Sequence, residues 1–152
     1  MKAQDRLRNV FYHLLYAVTG PGRGKRVILF YHSIGDSLLH SIPLQTYVRQ
    51  VELLTQCFQL VRLCDLDKVI GSTHPDNNLA CITFDDGYSD NYENALPVLE
   101  KFGVKATFFI TTGPLGKAFQ TSAGAVPMMH VSQVKKLADS GHEIGAHTFT
   151  HP

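Results

Sequence analysis

Short continuous apolar runs alternate along this chain with stretches whose apolar residues recur every three or four positions. The first pattern fits strands buried on both faces, the second helices with one apolar side. Val27-Ile-Leu-Phe-Tyr31 lies within residues 26–32, a buried-strand run that ends on His32. After Pro43, the residues Leu44, Tyr47, Val48, Val51, Leu54 and Phe58 fall on one helical face and predict a helix over 44–57. A brief strand at 59–63, a short helix at 66–70 and a polar loop at 71–78 follow, then the apolar run 79–84. A helix is expected over 94–102, closed by Gly103. Pro97 is tolerated only near a first turn, so that helix starts no earlier than about Glu93. Residues 105–110 read as another strand, 114–127 as a long loop without periodicity, 132–140 as a helix capped by Gly141, and 142–146 as a last strand.

Strand and helix thus alternate about five times, which predicts βαβ units and a mostly parallel sheet, barrel-like or open. Ahead of it, Leu7, Val10, Phe11, Leu14, Leu15 and Val18 recur at helical spacing, and 21–25 is rich in Gly and Pro. Residues 1–25 therefore read as an amphipathic helix and linker, and 26–152 as the domain proper. Lys2, Arg6 and Arg8 ahead of an apolar stretch have the outline of a signal peptide. Asp5, His13 and two tyrosines interrupt that outline, and no Ala-x-Ala site follows. An amphipathic helix of this kind packs on its own domain or, less often, makes peripheral contact with a membrane through residues 1–20. No apolar run approaches the ~20 residues of a spanning helix.

Length and charge narrow the classes. At 152 residues the chain fits one domain with a real core, and 44% hydrophobic against 18% charged residues is an ordinary globular balance. A net charge of +1 offers no basic field for nucleic acid. Cys57, Cys64 and Cys81 lack metal-finger spacing, and each sits in an apolar segment, so small buried hydrophobes are expected. They do not fix a compartment.

Candidate chemistry gathers at two strand ends. The run 79–84 stops at Asp85-Asp86-Gly87, where Gly87 lets the backbone turn and both carboxylates approach one pocket. Two adjacent carboxylates are costly unless a cation or proton relieves them. At the end of 142–146, His147-Thr-Phe-Thr-His151 places two imidazoles four apart, on one face if the segment is a helical turn. Two histidines and one of the two aspartates make three protein ligands with an open position, as a catalytic Zn²⁺ site requires. The other carboxylate is then free to take a proton from a water whose pKa the ion lowers. Sites in parallel α/β folds lie at that edge of the sheet.

Thr83-Phe84-Asp85-Asp86-Gly87 and His147-Thr-Phe-Thr-His151 resemble the first two signature motifs of the polysaccharide deacetylases, carbohydrate esterase family four, also called the NodB-homology domain. Ala106-Thr-Phe-Phe-Ile-Thr-Thr-Gly113 and Gly141-His-Glu-Ile-Gly-Ala-His147 are similar to that family too, and the likeness runs over 27–152. The resemblance implies an α/β fold of distorted (β/α) barrel type and metal-dependent removal of N- or O-acetyl groups from acetylated polysaccharide. By position it makes Asp85 the catalytic base and Asp86, His147 and His151 the ligands of a divalent metal, Zn²⁺ or else Co²⁺ or Ni²⁺. The opening strand resembles a permuted branch in which the strand bearing the general acid comes first. His32 would then protonate the leaving amine, with Leu29 or Phe30 lining the acetyl pocket. His142 is expected to face away from the site, and His13, His40, His74 and His130 to be surface or packing residues. Family analogy points to the cell envelope.

The chain departs from the family beyond the second motif, where further strands and an Arg that orients the base are expected. The expected fold is thus an incomplete barrel with an exposed sheet edge, so the sequence reads either as a fragment of a longer protein or as a chain that closes that edge by self-association. Two other functions compete with the deacetylase: a non-catalytic carbohydrate-binding or structural remnant, and a phosphoesterase using the aspartate pair. No glycine-rich phosphate cradle accompanies the motif, which counts against the last.

Overall fold

The computed structural model describes residues 24–36, 41–71, 76–121 and 124–151. The amphipathic helix expected over 1–20 lies outside them, as do His13, His40 and His74. Strand β1 (Arg26–Tyr31) is followed by helix α1 (Leu44–Cys57) and the two-residue strand β2 (Gln59–Leu60). A 3-10 turn at Leu63–Asp65 enters the short helix α2 (Leu66–Ile70), and β3 (Leu79–Phe84) comes next. A π-helical turn at Asn91–Ala95 leads into α3 (Leu96–Lys101), then β4 (Thr107–Ile110). The hairpin strands β5 (Ala118–Thr121) and β6 (Gly124–Pro127), helix α4 (Val131–Asp139) and β7 (Glu143–Ala146) complete the order. Among the described residues no helix is long and apolar enough to cross a membrane.

Five strands form one parallel sheet in the order β1-β3-β4-β7, with β2 also on β3. β2 pairs with the first two residues of β3 and β4 with the last two, so they share the flank opposite β1. This is the α/β, open-barrel arrangement that the alternating pattern predicts. Because every strand runs the same way, His32, Asp85, Thr111 and His147 all follow strand ends on one edge.

The register gives the sheet two unlike faces. Val27, Leu29 and Tyr31 line up with Ala80, Ile82 and Phe84, and pack with Phe108, Ile110 and the α1 residues Tyr47, Val51 and Leu54 into one core. Phe84 stacks on Phe108 with centroids 4.7 Å apart and on Tyr31 at 5.6 Å. On the opposite face Ile28 and Phe30 lie beside Cys81 and Thr83. Cys81 and Thr83 are buried, but Ile28 and Phe30 are 52% and 67% exposed.

Four expectations from the sequence are corrected. Residues 114–127 are not a structureless loop: β5 and β6 pair antiparallel there. Strands of four residues carry too little alternation to stand out, and Gly116 ahead of β5 and Gly124 at the start of β6 take positive φ. Helical winding before α3 begins at Ser89, ahead of Glu93. The wider π turn at Asn91–Ala95 runs into α3, whose first turn holds Pro97, where a missing amide donor is tolerated. The strand expected over 59–63 pairs only at Gln59–Leu60, because Leu63 already starts the 3-10 turn. Cys57 and Cys64 are exposed and only Cys81 is buried, since the first two close α1 and sit in that turn, on element surfaces.

Candidate metal centre at the strand ends

β3 ends at Phe84, and the Asp85 amide still donates to the Tyr31 carbonyl of β1 at 2.8 Å. The chain then turns through two positive-φ residues, Asp86 (71°) and Gly87 (85°). A Cβ on Gly87 would lie 3.2 Å from the Ile110 side chain, so the turn needs glycine for space as well as for conformation. The Thr111 amide donates to the Asp86 carbonyl and the Met129 amide to that of Gly87, at 3.1 and 3.0 Å. The turn sends the adjacent aspartates apart: Asp86 is buried, while Asp85 is half-buried.

The histidine arm continues the pairing of β7 with β4. The His147 amide donates to the Ile110 carbonyl at 2.9 Å, and the Thr111 hydroxyl donates to the His147 carbonyl at 3.1 Å. Farther on, the Gly113 amide donates to the Phe149 carbonyl at 2.9 Å. A Cβ on Gly113 would collide with that same carbonyl oxygen. The helical turn expected over 147–151 does not form. Thr148 and His151 take positive φ, 64° and 53°, and the His151 amide donates to the Thr148 hydroxyl at 3.0 Å. This bend, held against β4, still brings the two imidazoles to a centroid distance of 5.3 Å.

Both rings converge on Asp86. His147 Nε2 lies 3.4 Å and His151 Nε2 3.3 Å from Asp86 Oδ1, and one ligand atom from each residue falls within 4.8 Å of the others. Asp86 Oδ1 is buried and accepts no hydrogen bond. An unsatisfied buried acceptor costs about 1–3 kcal/mol, more if charged. A carboxylate and two imidazoles facing one point are the donor set of a divalent cation with open coordination positions. The residues therefore fit a metal ion, and that fit accounts for the orphaned oxygen.

Around this group stand residues that the sequence did not single out. Tyr88 is buried two residues beyond Asp86; burial first, then the Asp86 charge, push its hydroxyl above the usual range. Its position directly after the Asp-Asp-Gly turn was the available signal. Phe119 of β5 meets the His151 ring edge-to-face at 6.3 Å, from a segment that reads as loop. Asn91, fully buried in the π turn, donates from Nδ2 to the His32 carbonyl at 2.6 Å. Asp90 takes a hydrogen bond from Ser33, and Asn94 donates to the Ile34 carbonyl at 2.6 Å, so the π turn holds the segment after β1.

His32 follows Tyr31 and Asp85 follows Phe84, and those two residues are partners in register, so His32 and Asp85 leave neighbouring strands side by side. The half-buried His32 ring meets Phe30 edge-on at 5.9 Å, while Leu29 packs into the helix-side core. The Asp85 carboxylate has no hydrogen-bond partner among the described residues. His142 is buried under the sheet, where its Nδ1 accepts from the Ala106 amide at 3.1 Å. Burial, with Lys105 next, lowers its pKa to about 4. His130 caps α4, exchanging side-chain and backbone bonds with Gln133.

A sequence model described as polysaccharide deacetylase matches residues 72–152, more than half of the chain. The chain belongs to the polysaccharide deacetylase family. Among curated relatives, the Bacillus subtilis protein YxkH, which carries this family's name, is 33% identical over 129 residues, 84% of this chain and 43% of its own. Peptidoglycan-N-acetylmuramic acid deacetylase PdaA, also of Bacillus subtilis, is 36% identical over 72 residues, 47% of this chain and 23% of its own. Among solved structures, IcaB from Ammonifex degensii superposes with a TM-score of 0.72 at 29% identity, over 83% of this chain and 53% of that one. The chain thus spans about half, or less, of the polysaccharide deacetylases that it matches.

Proposed function

We propose that this chain carries the metal-binding and base-bearing part of a hydrolase that removes acetyl groups from N-acetylated, or O-acetylated, polysaccharide. The observation that carries the reading is the Asp86 carboxylate, buried with an unpartnered oxygen and faced by His147 and His151. Membership of a family whose relatives are named as deacetylases of sugar polymers supports the substrate class. In this reading Asp86, His147 and His151 hold a divalent cation, Zn²⁺ by its preference for imidazole and carboxylate in an open site. Bound there, the cation would supply Lewis acidity, polarising an acetyl carbonyl and making a water molecule easier to deprotonate.

The chain's own residues do the rest. Asp85, beside Asp86 in sequence but turned out of its pocket, takes the proton from water as the oxygen adds to the acetyl carbon. His32 gives a proton to the nitrogen as the carbon–nitrogen bond breaks, so that the sugar leaves as an amine and the acetyl group as acetate. Neutral imidazoles at His147 and His151 leave lone pairs for the ion, and the ladder along 111–113 fixes the arm that carries them.

The test measures metal content of the purified chain and of His147→Ala, then acetate released from an acetylated glucosamine oligomer. About one metal per chain, lost in the variant and accompanied by acetate release, is the expected result. Metal without acetate would favour a carbohydrate-binding remnant. A folded chain that binds no metal would overturn the reading.

A further inference from the structure

The β5–β6 hairpin touches both arms of the triad. On one side Tyr88 forms an antiparallel bridge with Met128, and the next amide, Met129, donates to Gly87. On the other, Phe119 packs with Tyr88, Val126 and Met128 in a cluster separate from the main core, and meets the His151 ring at 6.3 Å with planes at 88°. Such edge-to-face pairs fix relative ring orientation as well as burying area.

The two histidines are secured differently. His147 has both amide and carbonyl bonded to the end of β4. His151 has its amide on Thr148, a backbone at positive φ and a side chain 43% exposed. Among the described residues no group hydrogen-bonds the His151 ring. Metal-binding imidazoles are ordinarily oriented by a partner beyond the metal, and losing it costs about 10–100-fold in metal affinity.

We propose that Phe119 is a positioning residue for His151, and that the hairpin thereby closes a ring of contacts running from Asp86 through Tyr88 and Phe119 back to the metal site. This rests on the reading of Asp86, His147 and His151 as metal ligands. The perpendicular contact with Phe119 orients the His151 imidazole and ties it to the cluster holding the Asp86 turn.

Co²⁺ is titrated into the full chain, following its visible absorption, with the unfolding temperature of the metal-free protein as a separate readout. Phe119→Ala should bind about tenfold more weakly, with an altered absorption band, and Phe119→Leu should fall between it and the wild type. Val126→Ala loosens the same cluster but leaves the Phe119 ring in place, so it should bind within about twofold of the wild type. Wild-type affinity and band in Phe119→Ala would overturn the inference, as would equal weakening in Val126→Ala. A wild-type chain that takes up no cobalt, or a His151→Ala chain that takes it up as the wild type does, would instead overturn the metal site itself and this inference with it.

Discussion

Asp86 combines three costs at one position: positive φ, burial, and a carboxylate oxygen with no partner. Left-handed backbone alone costs a non-glycine residue about 1–2 kcal/mol. Chains keep such combinations where a site needs them. Asp85, one residue earlier, has no positive φ and is only half-buried, so its carboxylate stays within reach of solvent and, in the proposed function, serves as the base. Asp85→Asn keeps shape and removes basicity, so acetate release should fall by about 10²–10⁴-fold while metal affinity, measured by cobalt titration, stays near the wild type. Gly113→Ala tests the other arm. Its Cβ would strike the Phe149 carbonyl, which belongs to backbone and cannot swing aside, so the bend carrying His151 must shift and cobalt affinity should drop by roughly tenfold or more. The convergence of Asp86, His147 and His151 was legible from their residue types, although the bend that joins the histidines is not the helical turn their spacing suggests. The need for glycine at 113 was not, because the atom that excludes a Cβ comes from a residue far along the chain.

At the scale of elements, the long apolar runs and the 44–57 helix stood out because each carries its own periodicity and burial. What was hidden depends on partners: β5 and β6 exist through each other, with Phe119 opposite Val126, and the π turn bonds the segment after β1 through Asn91 and Asn94. β7 holds a further consequence in the residue just before it. His142 is neutral in the folded chain, with its pKa lowered from 6.5 to about 4 by burial and then Lys105. The unfolded chain takes up that proton first as pH falls, so the stability this group contributes is complete above 6.5 and is lost progressively down to about 4. In urea denaturation at pH 7.5 and pH 4.5, the wild type should lose about 2–3 kcal/mol more than His142→Gln, which cannot titrate. Equal losses would place the titrating group elsewhere.

At the scale of the whole molecule, one sheet presents a packed face and an open one. Phe84 and Phe30 sit on adjacent strands, yet Phe84 lies at the centre of the aromatic stack and Phe30 is 67% exposed. Phe84→Ala should cost about 3–5 kcal/mol, and Phe30→Ser within about 0.5 kcal/mol, by the same denaturation measurement. Apolar runs told of burial on both faces, and for β3 that holds throughout. For β1 it holds on one face only, because burial depends on neighbours that a strand's own residues do not encode.

The sheet is parallel throughout, and this orders events in time. Parallel neighbours cannot be joined by a tight turn; each pairing waits for a long crossover to close. The three residues that would hold the metal, at positions 86, 147 and 151, follow β3 and β7, with β4 between them. Until those strands align, the His147–His151 pair, four residues apart, lacks the Asp86 carboxylate. On the proposed metal site the full donor set exists only once the sheet is assembled, unlike in small finger domains that fold around zinc, so cobalt's full colour during refolding should appear no earlier than the sheet.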